Sequence, residues 1–210
     1  MSRIDKILDK VIGHGTQGIV YEYTRDKVVK CSNNTINEKI MNLVSIKNIG
    51  PKYFGVFKTE SDVNCYIQEK LYPIDMGKLE SGVYDRKLCK LITELIVDGI
   101  FHNDIKFDNI LMTKEGELRL IDFDLATEIS DYGYKKFDNL MENNMEIILK
   151  NGEIRSLKFT DKEIEKILKM RPSIPKTLLE IENEDRLKKA REEAKLLVQE
   201  RMKNFGKNKK

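Results

Sequence analysis

No run of the chain approaches the roughly twenty consecutive apolar residues that a membrane-spanning helix needs, and Met1 to Lys10 carries no apolar segment of the signal-peptide kind. The expectation is a soluble, intracellular protein of the cytoplasm, or of a host cytoplasm, with no membrane partner. Cysteine is scarce: Cys31, Cys65 and Cys89 are odd in number, far apart and without metal-ligand spacing. They are expected to be reduced thiols packed as small apolar groups. The two histidines, His14 and His102, do not suggest a metal pair either, and no internal repeat is present. What is there is 210 residues, 40% hydrophobic and 35% charged. That suffices for one continuous core, split at most into two lobes by a cleft.

The densest chemistry lies in His102-Asn103-Asp104-Ile105-Lys106-Phe107-Asp108-Asn109, followed eighteen positions after Asp104 by Asp122-Phe123-Asp124. Phosphoryl transfer needs a carboxylate to position an attacking hydroxyl and take its proton, a cation for the moving phosphate, and oxygen ligands for Mg²⁺. Asp104, Lys106, Asn109 and Asp122 offer all of these. Ile110-Leu111-Met112 and Glu117-Leu118-Arg119-Leu120-Ile121 read as two strands joined by a turn at Lys114-Glu115-Gly116. Asn109 then stands at the entrance of a hairpin and Asp122 at its exit. Each residue alone is an ordinary turn former; it is five matched positions in order that single the segment out.

Upstream, Gly13-His14-Gly15-Thr16-Gln17-Gly18 has the Gly-x-Gly-x-x-Gly spacing. A dinucleotide fingerprint would open a helix after its glycines. Here Ile19-Val20-Tyr21-Glu22-Tyr23 continues as a strand, turns at Arg25-Asp26 and returns as Lys27-Val28-Val29-Lys30. The glycines cap a hairpin able to fold over phosphates. Strand alternation sends Lys27 and Lys30 to opposite faces, so only one of them reaches a cleft. Thr35 to Leu43 reads as a helix in which Glu38 has two uses. It is either an acid partner for Lys30 or the Glu of a Thr35-x-x-Glu38 capping box.

Together these motifs resemble the eukaryotic-type serine/threonine protein kinase superfamily, in a small truncated form similar to viral, bacterial-effector and minimal atypical kinases. The likeness rests on the His-x-Asp-x-Lys-x-x-Asn pattern of residues 102–109, on Asp122-Phe123, and on Lys30 after two valines. It implies an α+β, bilobal fold: a small β-rich N-lobe over residues 1–71 and a reduced, mostly helical C-lobe over 72–180; residues 181–210 lie beyond the likeness and read by themselves as a charged helical tail. It implies ATP and Mg²⁺, with Gly13, Gly15 and Gly18 over the phosphates and Lys30, aligned by Glu38, on the α- and β-phosphates. Backbone groups of Glu69 and Leu71 would bind adenine. Val20, Val28 and Leu111 would enclose the ring, although without the family they read as strand residues facing a core.

In the same scheme Asp104 is the base, Lys106 steadies the γ-phosphate, and Asn109 with Asp122 holds the metal. The implied substrate is a protein Ser/Thr hydroxyl, favoured over small molecules by Lys106. Two alternatives stay open: a small-molecule kinase on the same fold, and a pseudokinase or decoy that works through a partner surface.

The chain departs from the family after Asp124. Leu125 to Tyr134 is only about ten residues, no Ala-Pro-Glu-like anchor follows, and Phe137, Leu140, Met141, Met145 and Ile148 resume a helical period. Asp138 is either a buried acid supporting the catalytic loop or a solvated helix-start residue. Asn103 stands where regulated kinases place Arg, so an activation-loop phosphate has no obvious receptor. Asp124 replaces the glycine of the metal triplet, at a place where φ > 0 can be required, and brings another carboxylate near the metals. A constitutively arranged site is expected.

Elsewhere, Leu88, Leu91, Ile92, Leu95 and Ile96 mark a helix stopped by Gly99, after a linker through Pro73, Gly77 and Gly82. Thr160-Asp161-Lys162-Glu163 is a capping box for a helix to about Met170. Residues 181–210 hold ten Lys or Arg against six Asp or Glu, whereas the whole chain carries +3, so the basic excess lies in the tail. A solvated helix is the favoured reading there, a nucleic-acid or acidic partner the other, with the last five residues expected to be disordered.

Overall fold

β-Branched and aromatic residues at period two build the first strands. They are β1 (Val11–Gly15), β2 (Gly18–Thr24) and β3 (Lys27–Ser32), followed by helix α1 (Glu38–Ile46), β4 (Tyr53–Lys58) and β5 (Asn64–Glu69). In the computed structural model they form one antiparallel sheet in the order β1-β2-β3-β5-β4. The structure describes residues 10–15, 18–32, 37–129 and 134–171, all in a unit that ends at Arg171. Thr16, Gln17, Thr35 and the basic tail lie outside the described residues.

The rest of that unit is mostly helical, with short strand pairs. It comprises β6 (Tyr72–Pro73), α2 (Met76–Glu80), α3 (Asp85–Val97), β7 (Ile100–Phe101), β8 (Ile110–Met112), β9 (Leu118–Leu120) and β10 (Thr127–Glu128). There follow α4 (Tyr134–Asn144), β11 (Glu146–Ile148), β12 (Ile154–Ser156) and α5 (Asp161–Leu168). The fold is therefore α+β, with a five-stranded antiparallel sheet and several helices, and no helix among the described residues is long and apolar enough to cross a membrane.

The strongly periodic elements form where their patterns put them. Helix α3 buries Leu88, Ile92, Leu95 and Ile96 on one face and stops at Gly99, whose φ of +85° suits a residue without Cβ. Helix α5 carries the Thr160/Glu163 capping box, and Glu163 also reaches Arg86 on α3. The hairpin β8–β9 pairs Ile110 with Leu120 and Met112 with Leu118.

Other expectations are corrected. The stretch through Pro73 and Gly77 is not a bare linker: Tyr72 and Pro73 add a strand to the β8–β9 hairpin, and Asp75 caps α2. The helical period after Phe137 ends at Asn144, and Ile148 belongs to the β11–β12 hairpin. Phe137 does pack in the core, edge-on to Phe101 with centroids 5.5 Å apart. Cys31 and Cys65 are not reduced thiols. They are direct partners in the β3–β5 register, with Cα atoms 4.0 Å apart, and are joined as a disulfide; Cys89 remains a free, buried thiol. Pairing cancels the sequence separation that made them look unrelated.

Ile92 on α3 is fully buried in the main core. Its truncation in Ile92→Ala is expected to cost about 2–5 kcal/mol, the range for buried aliphatic-to-alanine changes, read as a lower urea midpoint with unchanged m-value.

Candidate active site

Register and turn geometry bring the motif residues to one cavity of about 570 Å³, lined by Gly13, His14, Gly18, Val20, Lys30, Tyr66, Gln68, Lys106, Asp108, Asn109, Ile121 and Asp122. A hollow of similar size, about 550 Å³, lies by α1, α3 and β9 among Lys47, Lys87, Lys90 and Arg119, and contains none of the motif residues. The first cavity is the candidate site.

Strand β3 delivers Lys30 and strand β9 delivers Asp122. Lys30 Nζ donates to Asp122 Oδ1 at 2.6 Å and to Asp124 Oδ2 at 3.2 Å, and its side chain keeps only 10% of its exposure. Burial by itself would lower the ammonium's pKa. Tyr66 and the two carboxylates outweigh burial and hold it above its ordinary value; tyrosine is uncharged near neutrality, so there the carboxylates are what matter. Tyr66 is the β5 residue directly opposite Lys30, and burial pushes its hydroxyl up. Burial also raises the Asp124 carboxyl, with Lys30 pulling the other way and Asp122 adding to the rise.

The loop between β7 and β8 carries the second half of the site. Asp104 Oδ2 accepts from Lys106 Nζ at 2.7 Å and from Asn109 Nδ2 at 2.8 Å, while the same Nδ2 also donates to the Asp104 carbonyl. The Ile121 N–H donates to the Asn109 carbonyl at 2.9 Å, which ties the exit of β9 to the entrance of β8. Asp122 follows in the left-handed region at φ 66°, ψ 63°. Asp is among the few non-glycine residues that visit it, and strained backbone of this kind gathers at functional sites. The positive φ thus falls on Asp122, not on Asp124, which lies in a short 3₁₀ turn, Phe123–Leu125.

Beneath the loop, His102 is fully buried. Its Nδ1 accepts from the Asp104 N–H at 3.3 Å, its Nε2 faces the Ile121 carbonyl at 3.0 Å, and its ring packs on Phe123 at 4.8 Å. These partners require the neutral Nε2–H tautomer. Asn144, at the end of α4, supports the loop from below. Its Oδ1 accepts from the N–H groups of His102 and Asn103, and its Nδ2 donates to Asn103 Oδ1 and the Leu140 carbonyl. Asp138, the acid expected in that role, is instead exposed in an ion pair with Arg171. Asn103 Nδ2 donates to the Leu125 carbonyl and to Thr127 Oγ1, fastening the segment after Asp124.

Not every expected residue arrives. Glu38 is exposed and accepts from the Tyr53 hydroxyl at 2.9 Å, and the carboxylates that Lys30 meets are Asp122 and Asp124; Asn37 is the residue that caps α1, while Thr35 of the expected capping box lies outside the described residues. Burial and the Glu38 carboxylate push the Tyr53 hydroxyl up to about 12. Gly13, Gly18, Val20, Lys30, Lys106, Asn109 and Asp122 line the cavity, whereas Val28, Glu69, Leu71, Asp104 and Leu111 do not. Val28 is buried in the sheet, and the Glu69 N–H is taken by the Lys52 carbonyl at 2.8 Å. Gly18 has a structural need as well, because a Cβ there would sit 2.4 Å from the Cys31 carbonyl oxygen.

The donor set suits a hard cation. The described residues hold no cluster of three or more His, Cys, Asp or Glu able to bind a metal. Asp122 and Asn109 nevertheless line one cavity, and the Asn109 amide nitrogen is already used on Asp104, leaving its oxygen as the donor. One carboxylate and one amide oxygen are what Mg²⁺ takes when phosphates and water complete its shell.

Sequence reasoning missed Asn144, Tyr66 and Gln68. The first is one polar residue near a helix end; the other two need the β3–β5 register before they can be placed.

No protein-family model matches the chain. Among curated proteins, a serine/threonine-protein kinase of Saccharomyces cerevisiae, KIC1, is 25% identical over 60% of this chain and 14% of its own length. An Arabidopsis thaliana protein, MAP3K epsilon protein kinase 2, is 30% identical over 60% of this chain and 11% of its own. The Caenorhabditis elegans MAP kinase kinase mkk-4 is 29% identical over 60% and 43%. The chain spans less than half the length of each of them.

Two outcomes follow from the loop's underpinning. Burial lowers the His102 pKa below 6.5, so the unfolded chain takes up a proton there before the folded one does. Stability is therefore expected to fall as pH drops through about 6.5, and the His102 ring protons followed by NMR should titrate below that value; a midpoint above it would contradict the buried neutral tautomer. Asn144→Ala strands the buried His102 N–H, at about 1–3 kcal/mol, and removes the acceptor of the half-buried Asn103 N–H as well. Amide exchange at 102 and 103 should speed up more than exchange in β3.

Proposed function

Because the chain is related to the protein kinase superfamily, we propose that it is an ATP- and Mg²⁺-dependent phosphotransferase that phosphorylates serine or threonine hydroxyls of a protein substrate. The observation that carries the reading is the meeting, around one cavity, of a buried lysine paired to Asp122 at 2.6 Å with Lys106 and Asn109, the two lining residues that hold Asp104 just behind the wall.

Asp104 serves as the base. Oδ2 is held by two donors, which fixes the carboxylate's orientation and leaves Oδ1 to receive the proton of an attacking hydroxyl. Lys106 lies on the cavity wall beside it, a cation for the phosphate in transfer. Lys30 meets the phosphates closer to the nucleoside, beneath the β1–β2 hairpin with Gly13 and Gly18. Asp122 and Asn109 would hold magnesium, which neutralises phosphate charge when bound. Val20 offers an apolar surface to the base. Orientation and electrostatics are what this chemistry asks of a protein, since the transferred group needs little covalent help.

Incubation with labelled ATP, generic protein substrates and a panel of small hydroxylated metabolites tests the proposal. Wild type is expected to label protein, and Asp104→Asn to lower kcat by about 10²–10⁴-fold, the usual weight of a general base. Equal labelling by the two would remove Asp104 from the chemistry, and labelling of metabolites alone would move the substrate class.

A further inference from the structure

We infer that Asp124 is the positioning residue of Lys30, in the place that a carboxylate on helix α1 would otherwise fill. The inference rests on reading the cavity as a phosphate site, and it specifies how this chain aligns its phosphate-facing lysine.

Three observations carry it. First, the α1 carboxylate is elsewhere: Glu38 is exposed and spends Oε2 on the Tyr53 hydroxyl at 2.9 Å. Second, Asp124 is close and sheltered. Its Oδ2 lies 3.2 Å from Lys30 Nζ, and the two side chains keep 14% and 10% of their exposure. An ammonium removed from water to that extent needs carboxylate partners, and among the described residues these are Asp122 and Asp124. Third, Asp124 stands on a fixed base. Phe123 before it is buried against His102, and the Leu125 carbonyl after it accepts from Asn103 Nδ2 at 3.0 Å.

The division of labour follows from charge. Asp122 lines the cavity and is the carboxylate available to a cation; the more it is drawn to that cation, the less it holds Lys30. Asp124 does not line the cavity, so it keeps the lysine in register whatever Asp122 is doing. Alignment of Lys30 is thereby independent of where α1 sits.

Urea unfolding of Lys30→Met, Asp124→Asn, Glu38→Gln and the two double variants is the primary test, because it needs neither nucleotide nor turnover. The Lys30/Asp124 double variant should fall well short of the summed midpoint shifts of its singles, whereas Lys30/Glu38 should be additive. Additivity for Asp124 together with coupling for Glu38 would overturn the inference. Should Lys30→Met fail to fold, the ¹⁵N resonance of the Lys30 ammonium reads the same partner. It should move on Asp124→Asn and stay on Glu38→Gln, and the reverse would overturn the inference.

In the phosphorylation assay Asp124→Asn should lower kcat at saturating ATP by tenfold or more, with part restored by Asp124→Glu, while Glu38→Gln stays within twofold. A tenfold loss for Glu38→Gln with none for Asp124→Asn would refute the positioning role. A wild-type chain that neither binds nor turns over nucleotide would instead sink the proposed function, leaving the unfolding cycle to report the ion pair by itself.

Discussion

A lysine ammonium with nine-tenths of its side chain removed from water, between two aspartates two residues apart, is the constraint around which the site is organised. Desolvating a charge costs several kcal/mol before any partner is counted, so the position is tenable only if the carboxylates are held in place independently. Each side of the pair has its own support. Lys30 is fixed by pairing of β3 with both β2 and β5. Asp122 and Asp124 are fixed by the β8–β9 hairpin, the αL backbone at Asp122 and the turn that buries Phe123. The sheet and the mostly helical remainder are thus tied by charge at the wall of the candidate cavity.

The same logic operates in the loop of residues 102–109, with hydrogen bonds in place of ion pairs. His102 is buried and must stay neutral to accept from the Asp104 N–H, which makes the ring a spacer of fixed tautomer beneath the proposed base. Asn144 can serve as the support because one amide supplies an acceptor shared by two N–H groups together with two donors, and all are used. A carboxylate there could accept the two N–H groups but could not donate to the Leu140 carbonyl or to Asn103 Oδ1. The choice of amide over acid at the end of α4 is therefore tied to Asn103, which presents an acceptor to it.

How much of this was legible follows from how local each cause is. The β8–β9 hairpin, the β2–β3 hairpin, α3 and the Thr160/Glu163 cap are set by period, turn residues and spacing within about a dozen residues, and they formed where the pattern lay. The features not read are set by which strand lies beside which. The Cys31–Cys65 disulfide and the Lys30–Tyr66 contact are consecutive rungs of the β3–β5 ladder, invisible until the register is known. Glu38 fails for a related reason: its position on α1 was legible, but the side chain it meets is Tyr53 at the start of β4. Asn144 lay within a stretch whose apolar period ran on past the true helix end, so nothing in the spacing marked it.

Asn103 shows how residues 125–128, directly after Asp124, are held. Its side chain, on a residue in the left-handed region at φ 64°, donates to the Leu125 carbonyl and Thr127 Oγ1, and β10 then pairs with β7 immediately before the loop. Lys39 on α1 reaches Glu128 of the same strand at 2.8 Å, an exposed pair that contributes little by itself. Two hydrogen bonds and a two-residue strand pairing are a modest anchorage, about 1 kcal/mol net for each bond, but the segment they restrain is short and little backbone entropy opposes them. An arginine at position 103 would carry a charge that no amide can neutralise and would lose the compact two-way contact with Leu125 and Thr127. The asparagine and the shortness of the segment are thus one arrangement: a neutral, short side chain suffices because there is so little chain to hold.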